Sequence, residues 1–149
     1  VIFSDVMNSG QYIPPHLLTV EFFQSLKKAL APGGVAYLNY IGSLDTHDTS
    51  MTGSLIKTLT AVFPNYALVP ITSTTDKKLQ NIMIVVRHDG YPIRFADTTR
   101  IKNRLYSYDY AINDHLMTIP SETLVDEVVF TDNRPGMEPL LAKQFRLHN

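Results

Sequence analysis

The residue best placed for chemistry is Asp5, which stands at the end of a short apolar run, Val1 to Val6, that reads as a strand. A loop with Asn8, Ser9 and Gly10 follows, and Pro14-Pro15 then leads into a helix. In open α/β sheets, ligands lie beyond the carboxyl ends of the strands, so an acid at a strand end faces that space. A carboxylate there can hold a cation or accept a proton; the competing reading is that Asp5 caps the turn after it. Asn8, Tyr12 and His16 sit in or beside the same loop and are candidate substrate contacts. Asp45, His47 and Asp48 follow the second strand, where they either line the same edge or form an exposed polar loop.

Other chemistry is excluded or unsupported. The five histidines, at 16, 47, 88, 115 and 148, make no i, i+4 pair and no HExxH, so no metal is expected. With no cysteine there are no disulfides, thiol nucleophiles or thiolate metal sites, which fits a reducing, cytoplasmic setting. The sequence has no GxSxG, Walker or GxGxxG motif. Thirteen basic against fourteen acidic residues give a net charge of −1, which offers nothing to nucleic acid or to an anionic membrane. No apolar run reaches the roughly 18 residues of a membrane span. Tyr106, Tyr108 and Tyr110 alternate without a basic patch and read as one face of an extended segment rather than a base-stacking platform.

The elements that must position Asp5 follow from periodicity. Val1–Val6 is expected to be a central parallel strand covered on both faces. Thr19 is the predicted N-cap of a helix, with Glu21 in its first turn and Leu18 and Phe23 placed as a hydrophobic staple. Ala31-Pro32-Gly33-Gly34 ends that helix, and Val35–Ile41 is the second strand. Residues 42–53 read as a loop, Ser54–Phe63 as a second helix, and Tyr66–Thr72 and Asn81–His88 as an antiparallel strand pair at the sheet margin. Beyond residue 91 the pattern changes. A weak helical signal spans 97–105, Leu124–Phe130 reads as extended, Asp132 and Glu138 as turn or helix caps, and Pro139–Arg146 as a final helix. The expected organisation is an α/β half-domain over 1–91 with an extension, 92–149, packed on it.

The stretch IFSDVMNSGQYIPPHLLTVEFFQSLKKALAPGGVAYLNYIG, together with VVFTDNRPGMEPLLAK near the end, resembles the spermidine synthase-like (polyamine aminopropyltransferase) family. The features that carry the resemblance are the strand ending in Asp5, His16-Leu17-Leu18-Thr19, Glu21-Phe22-Phe23, Pro32-Gly33-Gly34 and the Thr131-Asp132 tail. It implies an α/β fold, the carboxyl-terminal half of a Rossmann-like, S-adenosylmethionine-dependent methyltransferase-type sheet. It also implies transfer of an aminopropyl group from decarboxylated S-adenosylmethionine to a small amine, with Asp5 as base and no metal. Asp5 and Val6 would lie against the nucleoside substrate, its other contacts coming from before Val1. Where the family usually carries a second carboxylate, three residues after the first, this chain has Asn8, and Val69-Pro70-Ile71-Thr72 replaces a tyrosine-containing motif.

Because the chain opens inside a strand, the expectation is a fragment whose missing half, or a companion chain, completes the sheet; a homo-oligomer is also expected. Two other functions stay open. One is a methyltransferase using intact S-adenosylmethionine, and the other is a non-catalytic binding or dimerisation module with the same fold, which Asn8 favours.

Overall fold

The computed structural model describes residues 1–5, 14–46, 49–95, 112–134 and 136–147. Four strands form one sheet: β1 (Ile2–Asp5), β2 (Val35–Gly42), β3 (Tyr66–Pro70) and β4 (Gln80–Arg87). Their spatial order is β1-β2-β4-β3. β1 and β2 are parallel, with Asp5 opposite Asn39, and β4 runs antiparallel to both β2 and β3. The expected antiparallel pair therefore stands at the margin, with β3 outermost and β4 inserted beside β2. The architecture is mixed α/β, consistent with half of a Rossmann-like sheet.

Two helices, α1 (Val20–Ala29) and α2 (Met51–Thr60), cover one sheet face. Thr19 caps α1 as expected, its hydroxyl oxygen accepting from Phe22 N at 3.3 Å. Leu18 and Phe23, the staple positions, both bury in the core cluster. Gly33, at φ +71°, makes the turn after α1 in a conformation that costs other residues a Cβ clash. Alternation along β2 sends Ala36, Leu38 and Tyr40 into this core, where they join Phe23 and Leu26 of α1 and Leu55, Ile56 and Leu59 of α2.

Three expectations need correction. β1 is not covered on both faces: Ile2 and Ser4 are half-buried, whereas Phe3 is 75% exposed. Among the described residues the helices lie on one side only. On the other side the apolar cluster of Ala67, Val69 and Val85 with Ile93, Phe95 and Leu116 meets β1 through Tyr37, whose ring stacks on Phe3 and leaves it largely open to solvent. The second helix begins at Met51, three residues earlier than the apolar spacing suggests, because Ser50 caps it by accepting from Gly53 N at 2.9 Å. Residues 124–130 form no strand. Ser121–Leu124 is a 3-10 turn, and the chain then runs as an irregular strap across α1 and α2.

That strap satisfies the helix starts. Glu127, 6% exposed, accepts from Ser50 N (2.8 Å), Ser50 Oγ (2.9 Å) and Ser54 Oγ (2.8 Å) at the amino end of α2. An anion there meets both unsatisfied N–H groups and the positive end of the helix dipole. A Cβ on Gly53 would come within 2.0 Å of Glu127 Oε1, so glycine is required in that first turn. At α1, Asp132 accepts from Thr19 Oγ1 at 2.7 Å, and its own N–H donates to Glu21 Oε2 at 3.1 Å. The final helix, α3 (Glu138–Leu147), sends Gln144 to Tyr40, whose hydroxyl donates to Gln144 Oε1 at 3.0 Å. At the far margin, Leu68 and Met117 exchange backbone hydrogen bonds of 2.9 and 3.0 Å and close the edge of β3. Among the described residues, nothing pairs with the outer edge of β1.

Candidate functional site

The open face of the sheet carries the site. Pleating sends Phe3 and Asp5 of β1 and Tyr37 and Asn39 of β2 to the side away from the two helices. Phe3 and Tyr37, cross-strand neighbours, stack with ring centroids 4.9 Å apart and planes 12° from parallel. Two residues further toward the carboxyl ends, on the same face, Asn39 Nδ2 donates to Asp5 Oδ1 at 3.1 Å. That is the one side-chain hydrogen bond Asp5 makes among the described residues, and it holds one carboxylate oxygen while the side chain stays exposed.

Around this pair lies a shallow open groove of about 420 Å³. Asp5, Asn39 and Asn81 supply its carboxylate and carboxamides, the last from the start of β4, and Ser4 and Tyr37 also line it. Phe3 and Tyr37 form an aromatic wall, and Met83 with Ile71 an apolar one. Asp5 is the sole formal charge among the described residues of the lining. The groove thus offers an oriented carboxylate, two carboxamides and hydrocarbon, a combination suited to a protonated amine.

The other sequence candidates lie elsewhere or outside the described residues. His16 is exposed in a 3-10 turn, Pro15–Leu17, and does not line the groove. Asp45 is engaged with Lys77 at 3.4 Å. Val6, Asn8, Tyr12, His47, Asp48 and the tyrosines at 106, 108 and 110 lie outside the described residues, as does the 97–105 helical signal. Asp132 anchors the start of α1, and Glu138 opens α3. Among the described residues, no group of three or more His, Cys, Asp or Glu could hold a metal ion, and no helix is long and apolar enough to cross a membrane.

Sequence reasoning did not single out Asn39, Asn81, Phe3 or Tyr37. A signal existed for Asn39, the lone carboxamide in an otherwise apolar strand, near the carboxyl end of the strand that pairs with β1. Asn81 carries no comparable mark, because it reaches the groove only through the insertion of β4 beside β2.

Burial raises the Tyr40 hydroxyl far above its usual range, outweighing its hydrogen bonds to Thr52 and Gln144. Burial likewise raises Tyr66, whose hydroxyl donates to Ile119 O at 3.0 Å. Both belong to the scaffold rather than the groove.

No family model matches the chain, and no curated protein does. Among solved structures, it is similar to a probable spermidine synthase from Corynebacterium glutamicum ATCC 13032, at 22% identity and a TM-score of 0.46. The match covers 65% of this chain and 33% of that one, so the chain spans about a third of that protein's length. The relationship is distant and at the level of fold.

Proposed function

We propose that this chain is the acceptor-side part of a spermidine synthase-like transferase, in which Asp5 binds the attacking amine and takes its proton. The observation that carries the reading is the exposed Asp5 carboxylate, pinned by Asn39 at the carboxyl end of two parallel strands and opening on a groove. The sequence resemblance over residues 2–42 supports it.

The chemistry requires such a group. An alkyl ammonium is protonated at neutral pH and has no lone pair with which to attack. A carboxylate within hydrogen-bond reach orients the nitrogen and accepts its proton as the C–N bond forms. The nitrogen attacks the propyl carbon next to the sulfonium, the C–S bond breaks with its electron pair going to sulfur, and methylthioadenosine leaves as a neutral thioether. Asn39 fixes one Asp5 oxygen and so orients the other, which matters because a misplaced base loses much of its effect.

Calorimetric titration of the polypeptide that carries this chain with methylthioadenosine, S-adenosylhomocysteine and S-adenosylmethionine tests this reading. Binding of methylthioadenosine in preference to the two nucleosides that bear an amino-acid carboxylate is expected. Preference for S-adenosylhomocysteine would instead indicate methyl transfer, and binding of none of the three would indicate a non-catalytic module.

A further inference from the structure

We infer that Gln80 is a positioning residue for the groove: by fixing the turn between β3 and β4 it holds Ile71 as the wall that receives an amine's hydrocarbon body. This rests on the transferase reading and adds how the acceptor's carbon chain is recognised. Gln80 is 6% exposed, and its carboxamide is turned into the β3–β4 connection. Its Oε1 accepts from Thr72 N at 3.0 Å and Ser73 N at 3.1 Å, while Nε2 donates to Ser73 O at 2.9 Å and Asp76 O at 3.2 Å. A carboxamide has two donor hydrogens and an oxygen that accepts twice, so all four places are filled. A satisfied network of this kind holds the backbone around it in one arrangement.

The residues flanking this network line the groove. Ile71 precedes Thr72 and Asn81 follows Gln80, and Ile71 N donates to Asn81 O at 2.9 Å, which joins the two at the root of the turn. The turn is also tied to the end of β2, where the Ser43 hydroxyl donates to Lys77 O and Lys77 pairs with Asp45 at 3.4 Å. Held in this way, Ile71 is left 51% exposed in the lining that also contains Asp5. An exposed isoleucine fixed in place is apolar surface that a ligand's methylenes can cover. Were the turn loose, Ile71 would have to be ordered at the moment of binding, and that entropy would be lost from the affinity.

Methylamine and butylamine carry the same charge and differ only in hydrocarbon, which makes them the matched probes. Each is titrated at constant ionic strength into the isotope-labelled polypeptide that carries this chain, following the Asn39 side-chain amide by NMR. Wild type is expected to bind butylamine about tenfold more tightly than methylamine. Gln80→Ala should bring the two affinities within about threefold, with that for methylamine unchanged. Gln80→Glu, which keeps an acceptor oxygen and loses both donors, should do so in part, and it decides the matter if circular dichroism shows Gln80→Ala unfolded. Ile71→Ala, at an exposed position, should reproduce the loss of preference. Adding Gln80→Ala to it should change nothing further, as required of a residue that acts through Ile71. A lowered Tm with the preference intact would mark Gln80 as purely structural and overturn the inference, as would a wild type that binds both amines equally or neither. Loss of preference in the Gln80 variants without methylthioadenosine binding would uphold the role of Gln80 and sink the transferase reading. An unchanged preference together with methylthioadenosine binding would do the reverse.

Discussion

Replacing Glu127 with alanine tests whether the strap holds the helix that backs the sheet. The substitution removes the acceptor for three donors: the backbone N–H of Ser50 and the hydroxyls of Ser50 and Ser54. The hydroxyls can turn to other acceptors, but the Ser50 N–H cannot. A buried donor left without a partner costs about 1–3 kcal/mol. Losing an anion from a partly buried helix amino terminus adds up to about 2 kcal/mol. A total near 3 kcal/mol follows, which for a domain of this size lowers Tm by roughly 6–12 °C. Glu127→Gln should cost only about 1 kcal/mol, since its oxygen can still serve Ser50 N and Ser54 Oγ while its amide donates to Ser50 Oγ. Thermal and urea unfolding followed by circular dichroism measures both. If Glu127→Ala shifts Tm by less than about 2 °C, the carboxylate is not anchoring α2 and the strap is ornamental.

Other outcomes are equally specific. Thr19→Ala removes the α1 cap and the donor to Asp132, and should destabilise by about 1–2 kcal/mol in urea unfolding, while Thr19→Ser stays near wild type. The folded-state pKa of Tyr40 lies above its unfolded value, so its contribution is complete below about pH 10 and falls as pH rises further, when the unfolded chain releases the proton first. Phenolate absorbance should accordingly show Tyr40 ionising only with unfolding, and Tyr40→Phe should reduce the alkaline loss of stability. Asn39→Ala should leave stability within about 0.5 kcal/mol yet weaken amine binding roughly three- to tenfold, because Asp5 loses its one fixed oxygen. Unchanged affinity in that variant would remove Asn39 from the site.

Local rules made much of the scaffold legible. Thr19, Glu21 and the Pro32-Gly33-Gly34 stop delimit α1 because capping and positive φ are decided within a few residues. The alternation of β2 is likewise local. The start of α2 was hidden, because Thr52-Gly53 looks like a turn until Glu127, more than seventy residues away, is placed over it. The strap over 125–130 read as a strand from its valines, but its backbone groups are satisfied by Thr58, Ser54 and Val20 rather than by a neighbouring strand. Asp5 was legible from its place at a strand end. The groove around it was not, since Asn39 and Asn81 come from β2 and β4 and Ile71 from just past β3, three strands whose order is set by the insertion of β4.

The most direct test of Asp5's role is the amine-dependent release of methylthioadenosine from decarboxylated S-adenosylmethionine, with wild type and Asp5→Asn compared in the polypeptide that carries this chain. The expected result is turnover in the wild type that falls by about a hundredfold or more in the variant, the range a positioned general base supplies, with the fold unchanged by circular dichroism. Equal turnover in the two proteins would contradict the assignment of Asp5 as the group that handles the amine's proton.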